Sequence, residues 1–331
     1  MGIEEEVLVA KGGFLAQTYR ESGLGGCIRK LHAAIKMNLP LLLMGRRTNA
    51  SVGAYFDLIT DDGRLFYGDS FHFGLFQNGE RSLQEGLDAH TDRVAALART
   101  GEHIQVLDLG CGICAPAIRI AGRHRCRVTG INISKEQVRQ GRRLVEESGL
   151  SDRIEVREGN ALRLDLPDNT FDAILCIEVA GDICVSEAQK VQLVREMHRV
   201  LRPGGCIGFS DLVFKAAPPR SDEKVMRTIL YHQGRELITD WPGLFQAQGF
   251  GIEELSDVMA HTLPTWEHAL SVYEDRIAEV EQRYGRRIAA FSIRQLERIP
   301  DILSRYGSFI MLRATKPLPP QAALPTQTRP A

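Results

Sequence analysis

An α/β architecture, with helices wound on both faces of a largely parallel sheet, follows from three features of the sequence. Val106-Leu107-Asp108-Leu109-Gly110-Cys111-Gly112 reads as a strand ending in an acid and two spaced glycines, and the helix-compatible run Ala115 to Ala121 follows it. Further strand-and-helix units succeed it: Arg127 to Ile133 with Lys135 to Ser148, then Ile154 to Val156, then Ala173 to Glu178. A helix from Leu193 next meets a stop at Pro203-Gly204-Gly205, before an apolar strand from Cys206 to Phe214. Strands that alternate with helices build a parallel sheet.

The first turn carries the most information. Glycines at 110 and 112 can take backbone angles closed to other residues, and without Cβ atoms they let a ligand press on the main chain. A dinucleotide fingerprint would place a third glycine where this chain has Ala115, and Pro116 follows in the first helical turn. The turn therefore suits a smaller, nucleotide-like ligand. Asp108, at the carboxyl end of its strand, can meet an ammonium group.

Composition narrows the field. The chain has 331 residues, and 41 lysines and arginines balance 42 acids for a formal net charge of -1, which speaks against a polyanionic partner such as nucleic acid. Glu4, Glu5 and Glu6 stand where a signal peptide would be basic, and Met37 to Met44, interrupted by Pro40, is too short to span a bilayer. Seven cysteines without framework spacing fit a reducing compartment, so a cytoplasmic protein is expected. Cys111 and Cys114 form a CxxC inside the glycine turn, with no second pair to complete a zinc site. No metal ligand set is read from the sequence.

Residues 1–85 are expected to form an N-terminal helical cap or lid. Within them, Leu24 to Met44 is helix-compatible, and serves as packing, as a cap, or as a contact between copies. Tyr67, Phe71, Phe73 and Phe76 surround His72 in a stretch broken by glycine, which is neither a surface loop nor an ordinary core helix. It reads as a hydrophobic plug or as a pocket wall whose ring faces meet a cation, each worth about 0.5 to 2 kcal/mol when desolvated.

Residues 86–215 hold the sheet units already described. Ser134 is the N-cap of the helix from Lys135. Residues 216–317 are expected to complete the core: a helix from Trp241 to Gly249, a strand from Ile252 to Val258, a helical insertion from Trp266 to Leu303, and a last strand from Ser308 to Arg313. Along the insertion, Arg276, Arg283, Arg286 and Arg287 form either a solvated face or, with Arg46 and Arg47, a diphosphate clamp. The tail 318–331, rich in Pro, Gln and Thr, is expected to be disordered.

With these residues in place, the chain resembles the class I S-adenosylmethionine (SAM)-dependent methyltransferases, whose fold is a Rossmann-like, doubly wound seven-stranded sheet. Asp108, Gly110 and Gly112 match the motif that holds the methionine end of SAM, and Leu201-Arg202-Pro203-Gly204-Gly205 is a second mark of the family. Gly68-Asp69-Ser70-Phe71-His72-Phe73 is similar to the GxSFHF segment of sterol C-methyltransferases; related cyclopropane-forming enzymes close the equivalent segment over the SAM carboxylate. The resemblance also covers methyltransferases that tailor antibiotics.

The resemblance implies SAM as cofactor, bound by Asp108, Gly110, Gly112, Asn132, Ile133, Gln137, Asn160, Ala161 and Leu162. Asn132 replaces the acid that many relatives use on the ribose; sterol and cyclopropane-type relatives also lack it and use a glutamine where Gln137 stands. It further implies a catalytic group of Glu178, Tyr67, Phe71 and His72. The expected acceptor is a small apolar or prenylated molecule, methylated on an alkene carbon, with Mg2+ needed if it carries a diphosphate. O-methylating relatives place a histidine four residues after the strand-end acid, and this chain has none after Glu178. O- or N-methylation, with His72 or Asp182 as base, stays open, as does a SAM-binding cyclase or structural subunit without transfer. By analogy with assemblies that exchange an N-terminal helix, a homo-oligomer through the N-terminal helices is a further expectation.

Overall fold

In the computed structural model the described residues are 49–184, 186–229 and 238–319. The expected helix Leu24 to Met44, Arg46, Arg47 and the tail beyond 319 lie outside them. The elements run α1 (Asn49–Tyr67), α2 (Leu83–Leu97), β1 (Gln105–Leu109), α3 (Ala115–His124), β2 (Arg127–Asn132), α4 (Lys135–Glu147), β3 (Ile154–Glu158) and β4 (Phe171–Ile177). Then come α5 (Ala180–Ile183), α6 (Glu187–Val200), β5 (Leu201–Phe214), α7 (Arg220–Ile229), α8 (Trp241–Ala247) and β6 (Gly251–Asp257). A helical insertion of α9 (Met259–Thr262), α10 (Pro264–Asp275), α11 (Ile277–Tyr284), α12 (Arg286–Leu296) and α13 (Ile299–Tyr306) precedes β7 (Gly307–Thr315).

The strands form one seven-stranded sheet in the order β3-β2-β1-β4-β5-β7-β6. The first five run parallel, and β7 lies antiparallel between β5 and β6. Strand order reverses between β1 and β4, and the crevice beyond their carboxyl ends is where open α/β sheets take ligands.

Local chemistry explains the helix starts. Ser82 and Glu85 close a capping box on α2, and Ser134 and Ser186 accept from the backbone N–H groups of Gln137 and Gln189 at the heads of α4 and α6. One expectation changes: Pro203-Gly204-Gly205 is a bulge inside β5 and not a stop before it. Leu201 already pairs with Phe171, and the next pair is Ala173 with Cys206, so the extra residues loop out and pair with Lys316 instead.

Two apolar clusters sandwich the sheet. One joins Phe73 and Leu75 to Val106, Val225, Trp266 and Ile302, so segments before, within and after the central strands share a core. The other holds Leu107, Ile174, Leu193, Phe209, Trp241 and Phe245.

Candidate active site

The glycine turn is tied down by its neighbour strand. Gly110 and Cys111 both donate their N–H to Ile131 O, at 2.8 and 3.1 Å. At Gly110 (φ +68°) a Cβ would sit 2.4 Å from Val179 Cγ2, whereas at Gly112 (φ +54°) it would meet no atom within 4 Å and would project into open space. That space is part of a cavity enclosing about 710 Å3, some of it open to solvent. Asp108 is 2 % exposed, its Oδ2 has no hydrogen-bond partner among the described residues, and burial pushes its carboxyl up to about 7. An orphaned buried carboxylate oxygen beside an open glycine cradle fits the ammonium of a bound amino acid group.

The other predicted cofactor residues fall at successive strand ends. Asn132 donates through Nδ2 to Gln137 Oε1 at 2.8 Å, and its Oδ1 accepts from Ser134 N at 2.9 Å, so the amide is fixed at the head of α4. Gly110, Gly112, Asn132, Ile133, Gln137, Asn160 and Ala161 all line the cavity. Asp108 lies buried at the end of β1 outside that lining, and Leu162 packs into the core instead. Asn160 Oδ1 accepts from Leu162 N at 2.9 Å and shapes the turn that holds Ala161. The set fits SAM: an acid for the ammonium, bare backbone for the methionine chain, amides for the ribose and an apolar turn for the adenine.

Glu178 stands at the opposite wall with positive φ (+53°), its N–H bonded to Ser210 O at 2.8 Å. Its Oε1 accepts from Phe73 N at 2.6 Å. Burial holds the carboxyl well above its usual range; the Phe73 N–H works the other way, while Asp211 and Asp182 add to the rise. Tyr67 is half-buried, and its surroundings, with Glu178 near, keep the phenol protonated. Asp182 lines the same cavity. Asp211, buried, takes N–H groups from Gly181 and Leu212 and is pushed up to about 8 by burial.

His72 does not reach the cavity. It is buried, its Nδ1 donates to Phe73 O at 2.9 Å, its Nε2 lies 3.3 Å from Thr91 Oγ1, and burial lowers it to about 4. His90, which sequence reasoning missed, donates from Nδ1 to the same carbonyl at 2.5 Å and accepts at Nε2 from Ser210 Oγ at 2.9 Å. His72, His90 and Glu178 thus gather polar atoms within 4.8 Å of one another, the composition of a two-histidine, one-carboxylate metal site. The Phe73 peptide occupies their centre, bonded to all three.

The aromatic segment divides. Phe71 lines the cavity, but Phe73 packs between Trp266 and Phe309, and Phe76 stacks on His268. Neither ring lines the cavity: Phe73 is in the core, and Phe76 is half-buried against Gly86. The wall they were expected to supply comes from α1, where Val52 and Phe56 line the cavity. This helix is clasped by Asp57, whose Oδ1 accepts from Ser134 Oγ at 2.6 Å and Glu136 N at 2.9 Å. Sequence reasoning missed α1 because Gly53 and Gly63 interrupt it; Gly53 lets the helix approach Ile133 O, and a Cβ there would sit 3.0 Å away. None of the described arginines lines the cavity: Arg276 pairs with Glu279 and Arg286 with Glu281, and Arg287 is exposed. Cys111 and Cys114 are buried free thiols with sulfurs 3.7 Å apart.

Residues 106–205 match the family model described as a methyltransferase domain. The chain is 29% identical over 247 residues to the methyltransferase GfsG of Streptomyces halstedii (71% of this chain, 87% of that one). It is 26% identical over 234 residues to the 27-O-demethylrifamycin SV methyltransferase of Amycolatopsis mediterranei (70% and 85%). A sterol 24-C-methyltransferase of Eremothecium gossypii is 34% identical over 157 residues, which cover 47% of this chain and 41% of that one. Among solved structures, the [4+2]-cyclase SpnF superimposes with TM-score 0.68 at 27% identity over 82% of this chain and 97% of that one. The cyclopropane synthase MmaA2 of Mycobacterium tuberculosis, at 16% identity, reaches TM-score 0.71 over 82% and 99%, a likeness of fold.

Proposed function

We propose that the chain, whose residues 106–205 match a methyltransferase domain, is a SAM-dependent enzyme that methylates carbon, at a double bond of an isoprenoid-like acceptor. The observation that carries this reading is a buried carboxyl, Glu178, facing an apolar wall of Val52, Phe56, Phe71 and Ile183 in a cavity whose described lining holds no lysine, arginine or histidine. The relatives named as sterol 24-C-methyltransferases support it. SAM, when bound, supplies an electrophilic methyl group that carries its own leaving group.

The residues then have these tasks. Asp108, the glycine turn, Asn132, Gln137 and Asn160 bind and orient the cofactor, and α1 closes over it to exclude water. With SAM bound, the methyl would pass to the acceptor's double bond as its C–S pair leaves on sulfur, and the acceptor would carry a cation for these residues to manage. Phe71 and Phe56 face that charge with their rings, while Tyr67, outside the cavity lining, stands near Glu178. Glu178 takes a proton from the carbon next to the cation, the C–H pair re-forms the double bond, and the proton resides on Oε2, since Oε1 accepts from Phe73. A diphosphate acceptor, with Mg2+, would need cations that the described cavity lining does not contain.

A second reading is O-methylation of a natural product, favoured by the rifamycin-type relative over 85% of its length, with Asp182 as the base nearest the cavity. The test is incubation with methyl-labelled SAM and a panel of prenyl alcohols, sterols, prenyl diphosphates with and without Mg2+, and hydroxylated natural products, followed by mass spectrometry. Label on carbon, lost in Glu178→Gln, is expected. Label on oxygen or nitrogen overturns carbon transfer. SAM binding without label on any acceptor would favour a non-transferring role, of the kind suggested by the likeness to a cyclase.

A further inference from the structure

We propose that His90 and Ser210 are positioning residues that hold the Phe73 peptide against Glu178 and thereby set how readily this carboxyl gives up and takes a proton. The geometry is a closed ring. Glu178 Oε1 accepts from Phe73 N, Phe73 O accepts from His90 Nδ1, His90 Nε2 accepts from Ser210 Oγ, and Ser210 O accepts from Glu178 N. Every member is buried or nearly so: the His90 side chain is wholly buried, Ser210 is 0 % exposed, and the Glu178 side chain is 14 % exposed.

Four separate elements meet in the ring: the loop after α1, α2, the end of β4 and β5. Gly74 N also donates to Thr265 Oγ1 at 2.9 Å and the Phe73 ring packs on Trp266 and Phe309, and the ring of hydrogen bonds adds the contacts that reach Phe73's own carbonyl and N–H. Two imidazole N–H groups converge on one carbonyl, because His72 also donates to Phe73 O, so the Phe73 backbone, whose N–H lies one peptide unit before that carbonyl, cannot shift away without leaving two buried donors unmade. His90 is kept neutral by burial, which leaves its Nε2 free to accept from the hydroxyl and its Nδ1–H free to donate. Its Nδ1 lies 3.7 Å from Glu178 Oε1, too far for a direct bond, so it acts through the peptide.

The groups that face Glu178 are Tyr67 from the end of α1, His72 and His90 behind it, Asp182 from α5 and Asp211 from β5. The acids and burial favour the neutral carboxyl, and the Phe73 N–H is the one contact that favours the carboxylate. Losing the ring removes that contact, and Glu178 then ionises only at higher pH.

The role given to Glu178 rests on the proposed function, but the test needs no acceptor. The carboxylic C=O stretch that disappears in Glu178→Gln is followed by infrared difference spectroscopy against pH in the full chain. The comparison covers His90→Leu, His90→Asn and Ser210→Ala, with SAM binding measured by calorimetry alongside. In His90→Leu and Ser210→Ala the band should persist to higher pH, its midpoint moved up by about one unit. His90→Asn, which keeps a donor near Nδ1, should return most of the shift. SAM affinity should change less than about threefold in Ser210→Ala, since Ser210 does not line the cavity. An unchanged midpoint in both His90→Leu and Ser210→Ala overturns the proposal, whatever happens to the melting temperature. A moved midpoint in a protein that labels oxygen and not carbon would leave the ring standing while the carbon-transfer reading fell.

Discussion

The backbone N–H of Phe73 lies 2.6 Å from Glu178 Oε1, so one hydrogen bond joins the aromatic segment before the sheet to the acid at the end of β4, 105 positions away. Through it the loop that carries Phe71 is registered against the proposed base.

Activity should rise with pH. Burial holds Glu178 above the usual carboxylate range, and only the ionised form can accept a proton. Methyl transfer to carbon is therefore expected to climb as Glu178 ionises, above the ordinary carboxylate range, and Glu178→Gln should lose about 10²- to 10⁴-fold in kcat with SAM binding retained. A rate profile in Glu178→Gln with the same pH dependence as wild type would remove Glu178 as base.

Asp108 predicts a second pH dependence, in binding. Its carboxyl, pushed up to about 7, is largely neutral at pH 6 and ionised at about pH 8, so affinity for a cofactor bearing an ammonium should increase across that interval. Calorimetric titration of wild type should show this. Asp108→Asn should bind SAM more weakly at pH 8 and lose the slope.

The same groups set the sign of stability. Asp108 and Asp211 have folded values of about 7 and 8 against an ordinary value of 3.8, so between about pH 4 and 8 the folded chain binds more protons than the unfolded one. Stability should be fully present below that window and fall as pH rises through it. The urea midpoint of the cofactor-free protein should be higher at about pH 5 than at pH 8, with the difference reduced in Asp211→Asn.

Alanine at the two turn glycines should have unlike effects. At Gly110 the new methyl would overlap Val179, so Gly110→Ala should lower the melting temperature and SAM affinity together. At Gly112 it meets no protein atom; its folding cost is limited to about 1 kcal/mol of backbone strain, while the methyl takes up cofactor space. Gly112→Ala should therefore fold and bind SAM at least tenfold more weakly. Equal losses of stability in the two variants would contradict the cradle.

Asp57 should matter for cofactor retention. Its carboxylate is the contact that seats α1 on the head of α4, next to Gln137. Asp57→Ala is expected to raise the SAM dissociation rate several-fold in stopped-flow displacement, with a smaller change in association.

The readings that came through as expected in position are those in which one short segment contains its own reason. Asp108 with its glycines, Ser134 with Gln137, and Asn160 with Ala161 each lie within a few residues, at a strand end whose direction the alternating pattern fixes, so the cavity contacts of this wall follow from local chemistry. The arginine clamp had no such support. Spacing along a helix says which residues share a face but not what that face meets, and here Arg276 and Arg286 meet neighbouring glutamates.

By itself, then, the sequence determined the parallel sheet, the glycine turn, an amide-lined cavity wall and an acid at the end of β4, because strand direction and turn geometry are properties of adjacent residues. The tertiary structure decided what faces that acid. It turned Phe73 into the core and Phe76 onto His268, placed His72 behind the cavity, brought in Phe56 on α1, and closed the ring of Phe73, His90, Ser210 and Glu178. The physical reason is distance along the chain. His90 and Ser210 are 120 positions apart, each reads locally as an unremarkable buried polar residue, and only packing α2 onto β5 makes one the hydrogen-bond partner of the other.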